Sequence, residues 1–244
     1  MSSPAANLLR NAPHRPPASL DLGAGAALRL ARLHEVCGDA RRTLALMIAA
    51  RTAVSREQPL IWIAPAWATD RLHGDGMTRF MPPGQVIFVT PNRAEDILWT
   101  MEEVLRAGAT PLAVADLPGL PTLTAVRRMH LAAETGAAES SLAPIGLILT
   151  EGDGGAPGVE TRWHMGAAHT PAQSRAAPSA TRGRAPEIPI EGTGWRLECR
   201  RNRTAPPRAW QVTDDHRLIP PPDGGLDGQT DRGPPQQALA SSAR

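Results

Sequence analysis

The sequence predicts an α/β fold with a mainly parallel sheet that is covered by helices on both faces. Short apolar runs alternate with longer segments of helical periodicity, as successive strand and helix units require. Runs without charged residues are typical of parallel strands that are buried on both sides. Four such runs span residues 60–64, 86–89, 112–115 and 145–149. A later, more charged pair of segments predicts an antiparallel extension.

The first βα unit is predicted within residues 34–53, HEVCGDARRTLALMIAARTA, as a strand, a loop and a helix. Ordered structure is expected to begin near Leu28. The preceding residues are rich in Pro, Ala and Asn and have no apolar period, so a loose arm is expected there.

The most distinct helix pattern lies between the second and third apolar runs. Asn92 followed by Glu95 predicts a capping box. Five apolar side chains then share one face until Gly108 ends the helix. These side chains are Ile97, Leu98, Met101, Val104 and Leu105.

A further helix is expected to open near Thr122 or Thr124 and to end before Gly136. It is predicted to bury Val126, Met129 and Ala133. Arg127 and Arg128 then point toward solvent.

After the last central run, GDGGAPGVETRWHMGA indicates a glycine-rich loop that leads into a strand at about 159–165. A flexible loop is the simpler interpretation of Gly152 to Gly158, and an anion cradle is the alternative. Beyond it, WRLECRRNRTAPPRAWQVT predicts two strands that are broken at the proline pair, because proline cannot sit in a central ladder. Alternation places Trp163 in the core or at a packed edge.

The composition predicts one domain at 21–213, interrupted by a disordered insertion at about 167–192. A disordered arm is expected at 1–20 and a disordered tail at 214–244. The chain has 25 Pro and 22 Gly among 244 residues, which suits extensive unpacked segments.

The net charge is only +2, and every basic side chain is an arginine. Cys37 and Cys199 are far apart and lack zinc-ligand spacing, so neither a disulfide framework nor a metal site is predicted. No run approaches the roughly eighteen apolar residues of a membrane span. We therefore expect a soluble, cytoplasmic protein with no membrane association.

The first βα unit has the order of a phosphate loop without its residues. A P-loop needs two glycines, a lysine and a Ser or Thr in the pattern G-x-x-x-x-G-K-[ST]. With Thr43 in the last place, Arg42 replaces the lysine, Arg41 the second glycine and Val36 the first. Gly38 is the one glycine in this loop.

Asp116 ends an apolar run, in the place of the carboxylate that holds Mg²⁺ in P-loop proteins. Together, Gly38, Arg41, Arg42, Thr43 and Asp116 predict a degenerate nucleotide pocket. We expect no catalytic residue and no bound ATP, Mg²⁺ or other cofactor.

Other reactive side chains are predicted to be structural. His34 and Cys37 do not converge on a strand, so no nucleophile or metal site is expected there. Trp62, Trp67 and Trp99 are core or interface candidates, because the chain has two Phe and no Tyr.

The segment RRNRTAPPRAWQV resembles a late strand pair of the RecA-like recombinases, with arginines in place of that family's lysines. The positions that match these lysines are Arg201 and Arg203. In the family they reach a nucleotide at the neighbouring subunit. The resemblance implies a RecA-like three-layer sandwich.

A set of segments more specifically resembles the ImuA family of bacterial mutagenesis cassettes. The resemblance covers about 28–166 and 194–213. Its segments are HEVCG-x-ARRTLAL, IFVTPNRAEDILWTMEE, ADLPGLPTLTAVRRMHLAAE, GGAPGVETRWHM and RTAPPRAWQV.

This resemblance implies a non-enzymatic accessory role in damage-induced (SOS) translesion DNA synthesis. The implied partners are an ImuB-like protein, an error-prone C-family DNA polymerase and RecA. Association with the nucleoid after damage would follow.

Residues 162–208 carry nine arginines against three glutamates. Arg200, Arg201, Arg203, Arg208 and Trp210 are candidate contacts to single-stranded DNA or to a partner, with Trp195 or Trp210 as a stacking surface. A solvated linker beside a charged outer strand is the favoured alternative. Docking on an acidic partner would use the same side chains.

Two other functions remain open from the sequence. The retained order of strand, loop and helix allows a RecA-like ATPase with a divergent phosphate loop that uses Arg42, Thr43 and Asp116. The SulA-like side of the family resemblance implies an inhibitor of cell division.

Overall fold

The computed structural model describes residues 18–168 and 194–220. Its strands and helices alternate through most of this region. In chain order they are β1 (Ser19–Gly23), β2 (Ala26–Arg29), β3 (Leu33–Cys37), α1 (Arg41–Ala49), β4 (Leu60–Ile63), α2 (Gly74–Met77), β5 (Val86–Val89), α3 (Ala94–Ala107), β6 (Leu112–Asp116), α4 (Leu123–Glu139), β7 (Ile145–Leu149), β8 (Thr161–Ala167), β9 (Trp195–Asn202), β10 (Arg208–Val212) and β11 (Leu218–Ile219).

A nine-stranded sheet with the order β11-β10-β9-β8-β3-β7-β6-β4-β5 forms the centre of the described region. The six strands from β8 to β5 are mutually parallel. The pairs from β8 to β11 are antiparallel. The predicted fold class, a mainly parallel sheet with a late antiparallel extension, is confirmed.

Helices cover both faces of this sheet. The apolar face of α1 packs with Trp62, Leu147 and Trp163 on one side. On the other side, α3 and α4 pack on alternate residues of the same strands, among them Ile63, Ala113 and Ile148. The period-two alternation of the strands therefore supplies two separate apolar cores.

Ordered structure begins earlier than Leu28, the predicted start. Strands β1 and β2 form a hairpin whose turn contains Gly23, Ala24 and Gly25, all with positive φ. Leu22 and Leu28 are buried. The prediction failed because the hairpin strands are short and its apolar positions are interrupted by alanine and glycine.

Helix α3 has the predicted buried face and ends at Gly108, which adopts the left-handed conformation with φ 59°. The predicted capping box is wrong. The N-cap is Arg93, and it makes no side-chain hydrogen bond to the helix. Glu95 and Asp96 still place negative charge in the first turn, which suits the helix dipole.

Helix α4 begins after Thr122, whose hydroxyl accepts a hydrogen bond from the N–H of Ala125 at 3.2 Å. It continues to Glu139, so the predicted end before Gly136 is wrong. Gly136 lies inside the helix, where a Cβ atom would collide with the carbonyl oxygen of Leu105 on α3. The glycine allows the two helices to touch.

The antiparallel extension contains the two predicted strands, β9 and β10, on either side of Pro206 and Pro207. Strand β8 begins at Thr161, two residues after the predicted position. Order also continues beyond 214, because β11 pairs with β10 and the ring of His216 lies between those of Phe80 and Trp195. The predicted tail starts too early.

Strand β5 forms one edge of the sheet. Ile87 and Phe88 are therefore exposed, and the expectation that this strand is covered on both faces is wrong.

Most of the residues predicted to be disordered lie outside the described residues. These are 1–17 of the arm, 169–192 of the insertion and 221–244 of the tail. Within the described part of the chain, no helix is both long and apolar enough to cross a bilayer.

Candidate functional site

The loop at the position of the phosphate loop is short, and N–H groups of this loop are hydrogen-bonded to carbonyls elsewhere in the chain. Only Gly38, Asp39 and Ala40 separate β3 from α1. The N–H of Gly38 donates to the carbonyl of Gly152 at 2.9 Å, and that of Ala40 donates to Met165 at 3.1 Å. Phosphate binding by such a loop depends on free N–H groups, and two of them are occupied here.

An ion pair joins the two residues that match the phosphate-loop cation and the metal-binding carboxylate in the sequence. The Nε atom of Arg42 donates to Oδ2 of Asp116 at 2.7 Å. Arg41 lies on the other oxygen, with 3.9 Å between Nε and Oδ1, and also approaches Glu151. Thr43 is partly buried on the same first turn of α1.

These five predicted residues therefore do come together at the carboxyl end of the sheet. The carboxylate of Asp116 is buried, and the two guanidinium groups of α1 neutralise it. A carboxylate held in this way is already coordinated by donors from the chain. The arrangement supports a structural role for the pocket residues.

The glycine-rich loop cradles an anion that belongs to the protein. Oε1 of Glu35 accepts hydrogen bonds from the Thr150 hydroxyl at 2.7 Å and from the N–H groups of Gly155 and Ala156 at 2.8 and 3.0 Å. Its Oε2 is ion-paired with Arg162. Two N–H groups of the glycine-rich loop are thus occupied by a carboxylate of the chain itself.

Sequence reasoning missed Glu35, which is fully buried in the centre of β3. The available signal was an acidic residue within a five-residue buried strand, because a charge there requires partners.

A chain of hydrogen bonds orients the ring of His34, and burial keeps the ring neutral. The Trp163 indole donates to the Thr161 hydroxyl, which donates to Nδ1 of His34 at 2.7 Å, and Nε2–H donates to the Arg29 carbonyl at 2.9 Å. Burial lowers the pKa of His34 to about 4. The structural role predicted for His34 follows from these contacts.

Cys37 and Cys199 are also structural. Burial raises the pKa of each thiol to about 11, and the charge of Glu35 adds to the effect at Cys37. Neither side chain is an activated nucleophile. Among the described residues, no group of three or more His, Cys, Asp and Glu is placed to hold a metal ion.

A second buried carboxylate, Glu160, lies among three arginines at the opposite end of β3. Arg29 Nη1 is 3.3 Å from Oε1, and the Nε atoms of Arg32 and Arg203 are both 3.9 Å from Oε2. Arg203 also donates to the Gly158 carbonyl at 2.9 Å. Arg203, a candidate contact residue, is therefore bound by groups of the chain itself.

The candidate contacts on β9 and β10 divide into two kinds. A bulge in the pairing of β8 and β9 leaves Arg200 without a cross-strand partner, and its side chain binds Asp153 and Glu198 at 2.7 and 2.9 Å. Arg201 and Arg208 are exposed, and neither has an ion pair within the described residues. They are the candidates left open to a ligand.

Trp210 is not a surface contact. It is 4% exposed, packs against Trp163 and donates its indole N–H to the Ala24 carbonyl at 3.0 Å. The prediction is corrected because Trp210 faces the core of the extension, where the hairpin of β1 and β2 covers it. Trp195 is partly buried and stacks on His216.

The other predicted core or interface tryptophans differ in their exposure. Trp62 is buried, as a core residue should be, whereas Trp67 and Trp99 are 52% and 60% exposed. Side chains of this size at the surface are frequent in protein interfaces.

Comparison with known proteins gives a distant structural similarity. No protein family profile matches the chain, and no curated protein matches it. Among solved structures, SulA from Pseudomonas aeruginosa is similar at 18% sequence identity and a TM-score of 0.38, over 49% of this chain and 98% of that one. At this level the similarity assigns neither a family nor an activity.

Proposed function

We propose that the protein is a non-enzymatic adaptor of damage-induced translesion DNA synthesis, as its resemblance to the ImuA family implies. Its partners would be an ImuB-like protein and an error-prone C-family polymerase, with RecA as a third. It would act in the cytoplasm and join the nucleoid after DNA damage. The polymerase would supply the catalysis.

The observation that carries this proposal is the ion pair between Arg42 and Asp116. In a working ATPase the carboxylate serves the metal and the cation serves the phosphates. In this chain the two groups neutralise each other, while carbonyls of the protein occupy N–H groups of the loop. The α/β fold would then serve as a scaffold that presents partner-binding surfaces.

Two kinds of surface suit an adaptor. Trp67 and Trp99 offer exposed aromatic area, which contributes strongly to protein interfaces. Arg201 and Arg208 offer exposed cations with no ion pair in the part of the chain that the structure describes, and the phosphates of single-stranded DNA or an acidic partner would bind to them.

Three measurements test the proposal. Isothermal titration of the full chain with ATP and Mg²⁺ should give no binding heat. Affinity purification from cells with damaged DNA should recover the ImuB-like protein and the polymerase, and deletion of the gene should abolish most damage-induced mutations while leaving spontaneous mutation unchanged.

The outcomes also separate the other two functions. Saturable ATP binding followed by hydrolysis would favour the divergent ATPase. Filamentous growth on overexpression, with the division GTPase in the purified complex, would favour a SulA-like inhibitor. Recovery of neither the ImuB-like protein nor the polymerase would contradict the adaptor role.

A further inference from the structure

A groove between α3 and α4 lies on the face of the helix pair that looks away from the sheet. The helices touch where Gly136 meets the Leu105 carbonyl, and beside this contact lies a cavity of about 360 Å³. We call this the α3–α4 groove. Glu102, Arg106, Arg127, Arg128 and Leu131 are among its lining residues.

The charges in the groove are arranged around one buried carboxylate. Glu102 is 7% exposed and binds Arg106 from its own helix and Arg128 from α4, the latter at 2.7 Å. Arg106 is also paired with Glu103 at the rim. Arg127 has no ion pair among the described residues. The lining as a whole carries three arginines against one glutamate.

Two large apolar side chains flank these charges. Leu131 lines the groove on α4 and is 60% exposed, to the same extent as Trp99 on α3. Trp99 lies three and four residues before Glu102 and Glu103, so helical spacing places all three on one stripe. Exposed tryptophan and arginine side chains are frequent centres of binding energy in interfaces.

We infer that the α3–α4 groove docks an acidic amphipathic helix of a partner protein. Apolar side chains of that helix would cover Trp99 and Leu131, and a carboxylate of the helix would pair with Arg127. The positive lining selects the sign of the partner, since like charges at an interface are costly.

Nucleic acid fits this surface less well than a protein does. Two of the three arginines are held by Glu102, and Arg106 is also held by Glu103, whereas phosphate binding needs free cations along a track. Leu131 offers an aliphatic surface with no base-stacking plane. Both features suit a helix that carries apolar and acidic side chains.

This inference deepens the proposed adaptor function and rests on it for the identity of the partner. The two can fail separately. A partner that co-purifies but ignores changes in the groove would leave the adaptor role intact and place its docking elsewhere.

A displayed peptide library tests the inference with the full chain as bait. The peptides form helices of about four turns, with apolar residues fixed at the i, i+3, i+4 and i+7 positions and the outer positions randomised among Glu, Lys and Gln. Selection should enrich Glu over Lys. The selected peptide should then shift NMR amide signals of α3 and α4 and of no other helix.

Variants of the chain locate the site. Trp99→Ala and Arg127→Glu should each weaken binding of the selected peptide at least about tenfold. Trp67→Ala removes a similarly exposed tryptophan outside the groove and should leave the affinity unchanged. A repeat selection on Arg127→Glu should shift the enriched residue from Glu toward Lys.

Four results would overturn the inference. They are a selection that enriches no sequence, enrichment of Lys on the unmodified chain, full affinity in Trp99→Ala, and displacement of the peptide by a single-stranded oligothymidine. Equal melting temperatures of the variants would exclude misfolding as the cause of any loss.

Discussion

The guanidinium of Arg42 and the carboxylate of Asp116 form a hydrogen-bonded ion pair, with 2.7 Å between Nε and Oδ2. Arg42 lies at the start of α1, which follows β3, and Asp116 ends β6; in the sheet β7 lies between β3 and β6. The pair therefore connects α1 to β6, although β6 does not lie next to β3, the strand that precedes α1.

Arg42→Ala should lower the free energy of unfolding by about 1–3 kcal/mol, because the buried Asp116 would lose its nearest counter-charge. Urea denaturation measures the change. In the double variant Arg42→Ala, Asp116→Ala, part of this loss should be recovered, since no uncompensated carboxylate remains. Strictly additive losses would contradict a direct coupling.

Arg42→Lys should not create an ATP site. The lysine would restore one residue of the phosphate loop, but N–H groups of Gly38 and Ala40 would stay bound to Gly152 and Met165. Titration with ATP and Mg²⁺ should give no heat, as for the unmodified chain. Saturable binding by this variant alone would show that the cation is what the loop lacks.

Glu35→Ala should be among the most destabilising single changes, at about 3–5 kcal/mol. It would leave Arg162 without its buried counter-ion and would free two N–H groups of the glycine-rich loop. Thermal and urea unfolding measure the loss. Glu151→Gln changes an exposed acid near the same loop and should stay within about 0.5 kcal/mol of the unmodified chain.

Acid should destabilise the fold partly through His34. Its pKa is about 4 in the fold against 6.5 in the unfolded chain, so the unfolded state binds more protons as the pH falls between these values. Stability present above about pH 6.5 is lost toward pH 4. Between about pH 7.5 and pH 5 this single group should remove about 2 kcal/mol.

His34→Gln should show a smaller loss of stability over that interval than the unmodified chain does. Other groups titrate in both proteins, so the difference between the two pH profiles isolates His34. Profiles that run parallel would mean that His34 is accessible to protons in the folded state.

Gly136→Ala should destabilise the protein by about 1–3 kcal/mol, because the added methyl group would press on the Leu105 carbonyl and force α3 and α4 apart. Gly119→Ala is the control, since a Cβ atom there meets nothing within 4 Å. Urea unfolding of both variants makes the comparison. Equal stabilities would show that the helix pair yields without cost.

The local pattern of apolar residues predicted most strands of the sheet and the buried face of α3. Ile97, Met101 and Leu105 repeat at helical spacing and all are fully buried. The meeting of Arg42 with Asp116 was anticipated only as a pocket, because sequence order places both at one edge of the sheet. That the two side chains pair depends on geometry that no local pattern encodes.

Long-range relations account for the failures. Glu35 finds its partners 115 to 127 residues away, so its neighbours in the sequence give no sign of the cradle. Trp99 and Trp210 have the same side chain and opposite environments, since one lies on the outer face of a helix and the other beneath a hairpin. Composition alone cannot separate them.

The hydrogen bond from Trp210 to the Ala24 carbonyl joins residues 186 positions apart. A chain that emerges from the ribosome in order has made β1 and β2 long before it makes β10. The contact between the hairpin and Trp210 can therefore form only after the parallel strands between them have been made. Closure of such a distant contact is slow, so docking of the β1–β2 hairpin on Trp210 should be a late step in folding.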